Sequence, residues 1–425
     1  MIGFNMEVSS DCVIDYGTTE VVLSSPAPMV KCVIGANYGD EGKGATVNYL
    51  TEKHKSKFVI RFNGGNQAGH TVKIKGKKPH IFHALGSGTF AGAKTAYTSA
   101  MLCNPLAILE ESQELNLKSR VRVDPDCLII TPWDISINQF LEIDRDNARH
   151  GSCGLGINET VHRNVSGGPK LIYSDLSDED TISKFYIDIV KWYRERLTST
   201  ITNKDILREA LTDNTLFKMF YVFLKYVPSN MISTCEKVDE QIKASESIIF
   251  EGAQGLLLDQ NDEEHFPHVT RSNTGLKNIV TYCGKDLPIS EIYYCTRPYL
   301  TRHGNGPILA GIECENLWDI GEYRDRTNVN NQYQGSVRYA HLDWKKLSYR
   351  IYKDTRHLVK QSGVKPPVIK LALTCLDQLH FQETYQFHYG DEIISFDSTD
   401  SDYFIKLIQD KVGLDIEIVD GRGVK

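Results

Sequence analysis

Two short stretches hold residues able to move protons and phosphate. "GDEGKG" at 39–44 sets Asp40, Glu41 and Lys43 among three glycines, and "NGGNQAGHT" at 63–71 sets His70 between Gly69 and Thr71. A glycine-rich turn between a strand and a helix can aim backbone N–H groups at phosphates, with the positive end of the helix dipole behind them. Lys43 would neutralise phosphate charge in such a turn, whereas Asp40 and Glu41 would repel it. An acid placed there holds a metal ion that bridges phosphates, removes a proton, or decorates a helix start, where negative charge favours the dipole. His70, one strand further along, could serve as an acid to the base Asp40, a pairing suited to chemistry at an sp² carbon. The standard phosphate-loop pattern does not fit, because Asn37 stands at its first glycine and Gly44 follows Lys43 where Ser or Thr belongs. The dinucleotide pattern G-x-G-x-x-G fails as well.

The elements around these turns read as alternating strands and helices. An apolar run ends at Gly35, a candidate helix follows the turn, and "FVIRF" at 58–62 is a second strand. Further strand-like runs are "CLIIT" at 127, "SIIFEGAQG" at 247, "EIYYCTR" at 291 and "VIKLALTCLD" at 368, several of them ending in glycine, polar or charged residues. This pattern predicts an α/β fold with a largely parallel central sheet, helices on both faces and helical or loop insertions. From about 176 to 243 the period is helical, with Ile182, Phe185, Tyr186, Ile189 and Val190 on one apolar face expected to pack rather than to bind a cofactor. No internal repeat divides the chain, so residues 30–425 are expected to form one elaborated domain. Residues 1–29 read as a polar N-terminal extension that need not be ordered.

Composition narrows the function. The 425 residues are 41% hydrophobic and 24% charged, with a formal net charge of -7, which argues against a nucleic-acid or anionic-membrane partner and leaves small anions to a local basic cleft. The ten cysteines show neither C-x-x-C nor zinc spacing, as in a reducing cytoplasm. No apolar run approaches the ~18 residues of a membrane span, and the first residues lack the pattern of a signal peptide.

In order, "GDEGKG", "NGGNQAGHT", "FEGAQGLLLD" at 250–259, "FPHVTRSNT" at 266–274 and "TRHGNGP" at 301–307 closely resemble adenylosuccinate synthetase, from about residue 31 to the C-terminus. The resemblance implies a ligase that joins L-aspartate to position 6 of a purine nucleoside monophosphate with a nucleoside triphosphate and Mg2+. A ring nitrogen is deprotonated, the 6-oxygen is phosphorylated, and the amine displaces phosphate. It implies Asp40 as base and metal ligand, the Gly69 carbonyl in the same metal shell, and His70 as acid. The triphosphate would be held by Gly39, Asp40, Glu41, Gly42, Lys43 and Gly44, with Arg338, Asp377 and Gly421. The monophosphate would meet Gln67, Ala68, Gly69, Cys153, Gln254 and Thr270, and Arg163 in "ETVHRN" would reach it across the interface of a homodimer. Aspartate would lie on Gln334, Gly335, Ser336 and Arg338. The implied location is the cytoplasm, that of the host for a viral member.

Several positions depart from the family pattern. Tyr38 replaces a tryptophan, Gln67 an asparagine, and "GSCGLGIN" at 151–158 stands for GTTGRGIG. The arginine-rich aspartate loop is replaced by "NNQYQGSVRYAHLD" at 330–343, which keeps Arg338, leaving Arg302, Arg324 and Arg326 to compensate. Cys375 stands where GTP-using members carry a lysine that stacks on guanine. Together these look like the viral aminoadenylosuccinate synthetases, which act on dGMP, often with ATP. Asp40 points the other way, since that branch commonly lacks the acid. The balance leans slightly to dGMP; the ordinary reaction with IMP and GTP is the alternative, and a catalytically silent nucleotide-binding regulator the reading from another class.

Overall fold

Val30, Cys32, Val33 and Ile34 are fully buried in strand β1 (Met29–Gly35), a run without polar alternation, as a strand covered on both faces requires. The computed structural model describes residues 28–117, 121–145, 152–198, scattered positions between 201 and 242, 244–284, 287–304, 306–309, 311–313, 337–358, 365–381, 384–397 and 399–419. Met29, placed in the extension from sequence, is the first residue of β1 and pairs with Ser247. The strands that follow are β2 (Phe58–Arg61), β3 (His70–Val72), β4 (His80–Phe82), β5 (Lys94–Tyr97), β6 (Val121–Val123), β7 (Ile232–Thr234) and β8 (Ser247–Gly255). After them come β9 (Ile289–Thr296), β10 (Tyr299–His303), β11 (Gly311–Glu313), β12 (Val337–Leu342), β13 (Val368–Thr374), β14 (Thr384–Tyr389), β15 (Glu392–Asp397) and β16 (Asp415–Val419).

Nine strands lie side by side in the order β16-β13-β9-β1-β8-β2-β5-β6-β7, and every pairing among them is parallel. β1 therefore sits inside the sheet between β8 and β9. Ligands of open α/β sheets bind beyond the carboxyl ends of such strands. Smaller antiparallel units carry the remaining strands: β10-β12-β11, β14-β15 and β3-β4.

Helices pack both faces. Helix Trp344–Thr355 buries Trp344, Leu347 and Ile351 against Phe387 and Phe404 on one side, while Trp133, Phe140 and Ile137 anchor a second core elsewhere. The expected helical stripe is helix Glu179–Leu197, with Ile182, Phe185 and Ile189 buried in that second core and Tyr186 and Val190 packed at its edge. "CLIIT" forms isolated bridges, Cys103 with Ile129 and Leu128 with Ile172, and no strand. Its last residue, Thr131, already caps helix Pro132–Asp144, so no length is left for a ladder. Among the described residues no helix is long and apolar enough to cross a membrane.

Candidate active site

The turn after β1 is pressed onto the ends of its neighbours. Leu257 N donates to Asn37 O at 2.9 Å, Ala36 N to Cys295 O at 2.9 Å, and Asn37 Nδ2 to Thr296 Oγ1 at 3.0 Å. Gly39 has φ 106°, and a Cβ there would lie 2.7 Å from Gln254 Cα, so only glycine lets the turn lie against β8. Gly42, at φ 72°, starts helix Lys43–His54 without any side-chain cap. The first-turn N–H groups thus keep their capacity for an anion.

Neither acid of the turn decorates the helix start. Glu41 folds back so that its Oε1 accepts from Asn37 N at 2.6 Å; the side chain is buried and burial pushes its pKa up. The Glu41 side chain thus braces the turn from within, and its backbone stays part of the loop expected at the triphosphate. Asp40 points the other way: its Oδ2 lies 2.9 Å from Arg297 Nη2, with the carboxylate 26% exposed, and Arg297 Nε also holds the Asp40 carbonyl at 2.7 Å. Lys43 is buried, with Nζ donating to Gly39 O.

His70 stands beside the same helix, since a Cβ on Gly44 would lie 2.9 Å from His70 Cβ. Its Nδ1 is 2.7 Å from Oε1 of Glu251, a fully buried carboxylate that also accepts from Ser87 N at 3.0 Å and from the Ser87 hydroxyl. An ionised carboxylate only accepts, so Nδ1 carries the hydrogen and Nε2 is the acceptor. Nε2 is buried and has no hydrogen-bond partner among the described residues. Burial draws the His70 pKa down to about 4 against the pull of Glu251, while Glu251, despite its own burial, is held at about 2 chiefly by the charge and hydrogen bond of His70. The imidazole is neutral until an anion arrives to favour its charged form.

Beyond Gln254 the turn gives onto a pocket lined by Gln67, Cys153, Gln254 and Thr270, four of the residues expected at the monophosphate. Gln254 itself adopts φ 63°, a conformation that side-chain-bearing residues rarely take and that here accompanies its contact with the turn. Ser152, Asn158, Arg145, Arg271 and Arg302 complete much of the wall. The Cys153 thiol is pushed up to about 11 by burial, so it faces the pocket uncharged. Ala68 is buried and outside the lining, whereas Gly69 is exposed at the start of the β3–β4 hairpin.

Tyr38 ties the turn to this pocket. Its hydroxyl lies 3.0 Å from His265 Nε2 and accepts from Leu309 N at 3.1 Å, and His265 Nδ1 lies 3.0 Å from Asp262 Oδ1. The Arg302 guanidinium stacks 4.5 Å from the Tyr38 ring and donates to His268 O at 2.9 Å and to Pro307 O. Arg338 stands directly opposite Arg302 across β10 and β12 and donates to Gly304 O at 2.9 Å.

Arg163, expected at the monophosphate of a partner, is held within its own chain. It is fully buried, paired through Nε and Nη2 with Asp134 at 3.0 Å each, and it also donates to Ile129 O at 3.1 Å and to Pro169 O. Tyr193 bonds the same Asp134 at 2.7 Å. An arginine four residues before a glycine pair reads as surface from sequence because its acidic partner lies far along the chain. Asp377 falls in the turn Leu376–Phe381 after β13, and its charge bears on Cys375, which also feels Arg297 and Asp40. Gln334, Gly335, Ser336 and Gly421 lie outside the described residues. Sequence reasoning missed Arg297 and Glu251. Each had a signal: an arginine just past the strand "EIYYCT", and an acid interrupting the apolar run "SIIF".

An uncapped helix behind a glycine turn, a carboxylate–arginine pair, a histidine backed by a buried glutamate and an arginine-lined pocket define a nucleotide-using α/β enzyme. A family model described as Adenylosuccinate synthetase matches residues 32–335, and the chain belongs to this family of carbon–nitrogen ligases. Among curated relatives, the adenylosuccinate synthetase of Teredinibacter turnerae is 31% identical over 299 residues, 68% of this chain and 66% of that protein. That of Borrelia turicatae is 30% identical over 367 residues, 83% and 77% respectively. The match thus spans about two thirds of the first relative's length, 66%. The fully ligated adenylosuccinate synthetase of Plasmodium falciparum shares the fold with a TM-score of 0.70 at 21% identity, over 92% of this chain and 98% of the other. The succinoaminodeoxyadenylate synthetase of cyanophage S-2L, bound to dGMP and dATP, does so at 0.58 and 15% identity, over 92% and 91%.

Proposed function

We propose that this chain joins L-aspartate to position 6 of a purine nucleoside monophosphate through a 6-phosphoryl intermediate driven by a nucleoside triphosphate, working as a homodimer. The observation that carries it is the grouping around the turn after β1 of Asp40 with Arg297, His70 with Glu251, and the arginine-lined pocket around Gln254. Asp40 removes the proton from the ring nitrogen; the 6-oxygen bonds to the γ-phosphorus as the bond to the departing diphosphate breaks. His70 presents Nε2 to the phosphoryl oxygens, its charge supported by Glu251. The aspartate amine then bonds to C6 and gives up a proton as the C6–O bond breaks, and phosphate leaves with the bonding electrons.

Residues for a magnesium ion are of the right kind. The part-exposed Asp40 carboxylate and the carbonyl of exposed Gly69 are hard oxygen donors, as magnesium takes alongside phosphate oxygens. Among the described residues no group of three His, Cys, Asp or Glu forms a cage, so the phosphates would fill the remaining positions. When bound, the ion neutralises charge on the transferred phosphoryl group.

For the acceptor we favour dGMP, giving the 2-amino-deoxyadenylosuccinate product, with ATP or GTP as donor. Its support is the departed arginine loop, Cys375 at the donor-base position, and the fold shared with the cyanophage enzyme. A carboxylate at Asp40 can accept from both the ring N–H and the 2-amino group of guanine. The second reading, IMP with GTP, is supported by Asp40 itself and by the curated relatives. Phosphate release with L-aspartate, crossing IMP and dGMP against GTP and ATP, tests both. Turnover that requires aspartate and is lost in Asp40→Ala is expected; no turnover in any combination sinks the ligase reading.

A further inference from the structure

Arg271, in "FPHVTRSNT", lines the pocket with no role assigned to it above. Its backbone is pinned on both sides. Thr270 N donates to Leu258 O at 2.8 Å, Gln260 N donates to Ser272 O at 3.1 Å, and Gly64 N donates to Ser272 Oγ at 3.2 Å. The side chain is exposed, lines the pocket beside Thr270, and makes no hydrogen bond or ion pair among the described residues. Its charge is felt at His162, on helix Ile157–Val165, whose first turn carries Asn158 into the pocket.

The charges of the pocket single Arg271 out. Glu142 is its one lining carboxylate among the described residues, and Arg145 lies 3.0 Å from it. Arg302 has already given its Nη groups to Pro307 O and His268 O. Arg163, the arginine expected at the phosphate, is sealed inside with Asp134. Among the described residues, what remains is one guanidinium with its fork of donors uncommitted, on a fixed backbone, in a lining of net positive charge. Such a group suits the planar, multi-donor recognition of a phosphate monoester.

We propose that Arg271 binds the 5′-phosphate of the purine nucleotide, supplying from within the pocket's own chain the contact expected of Arg163 from a partner. The proposal rests on the ligase reading. Calorimetric titration of the full chain, wild type and the variants Arg271→Ala and Arg271→Lys, with IMP, dGMP and the corresponding nucleosides inosine and deoxyguanosine, tests it. Monophosphate affinity falls roughly tenfold or more in Arg271→Ala and recovers in part in Arg271→Lys, while nucleoside affinity stays put. Unchanged monophosphate affinity in Arg271→Ala overturns the proposal, as does an equal loss for the nucleosides. If wild type binds neither monophosphate, the ligase reading falls and the proposal with it, an outcome told apart because the unmutated chain then fails.

Discussion

Replacing Glu251 by Gln keeps the shape of the group beneath His70 and removes its charge. The outcome can be worked through atom by atom. Ser87 N is an obligate donor 3.0 Å from Oε2, so the amide oxygen of the new side chain must face it. The amide NH2 then takes the place of Oε1 and points at His70 Nδ1, which becomes an acceptor; the ring hydrogen moves to Nε2. The imidazolium also loses a charge-assisted hydrogen bond of about 1.5–3 kcal/mol, which drives the His70 pKa below its native value of about 4. If phosphoryl transfer draws on the charged imidazole, kcat falls by about 10–150-fold at saturating substrates while the KM values move little. Phosphate release gives kcat, and the 15N shifts of the His70 ring report the tautomer. A kcat within about threefold of wild type, or a ring that keeps its hydrogen on Nδ1, refutes the reasoning.

Two further outcomes follow from buried charge. Acidification from pH 6.5 towards 4 lowers stability, because unfolded His70, with its ordinary pKa of 6.5, takes up a proton that the folded ring, held at about 4 by burial, refuses. The loss from this group reaches about 3 kcal/mol at the acid end and reads out as a falling urea midpoint that His70→Asn makes shallower. Arg163→Ala leaves Asp134 buried without its counter-charge and costs about 3–5 kcal/mol of stability, again read by urea. A well-folded Arg163→Ala with a raised monophosphate KM would instead restore the cross-interface role.

The parallel sheet was legible because buried strands such as β1 and β8 carry apolar runs, 32–34 and 248–250, without polar alternation, and the glycines that follow mark the carboxyl ends. Local spacing also brought out the turn at 39–44 and His70, because each stands in a glycine-rich stretch directly after a strand. What it could not show was partnership at long range. Arg297 reaches Asp40 from 257 residues away, and Glu251 reaches His70 from 181. For the same reason nothing in the sequence marked Asp134 as the partner of Arg163, or the Asn37 amide as that of Glu41. "CLIIT" failed for a simpler reason: apolar and β-branched residues favour a strand, but the Thr131–Pro132 helix start cuts the run short.

The bond between Tyr38 and His265 has a directional sense. The Asp262 carboxylate takes the Nδ1 hydrogen of His265, which leaves Nε2 as the nearer acceptor of the Tyr38 hydroxyl at 3.0 Å, ahead of Pro307 O at 3.5 Å, while the Tyr38 oxygen accepts from Leu309 N. Three separate loops, those carrying Tyr38, His265 and Leu309, are thereby threaded on a single oriented chain of donors. Arg302, resting on the Tyr38 ring, joins that chain to the carbonyls of His268 and Pro307. The pocket wall at Arg302 and the glycine turn at Asp40 thus share one anchor, the Tyr38 side chain two places before Asp40.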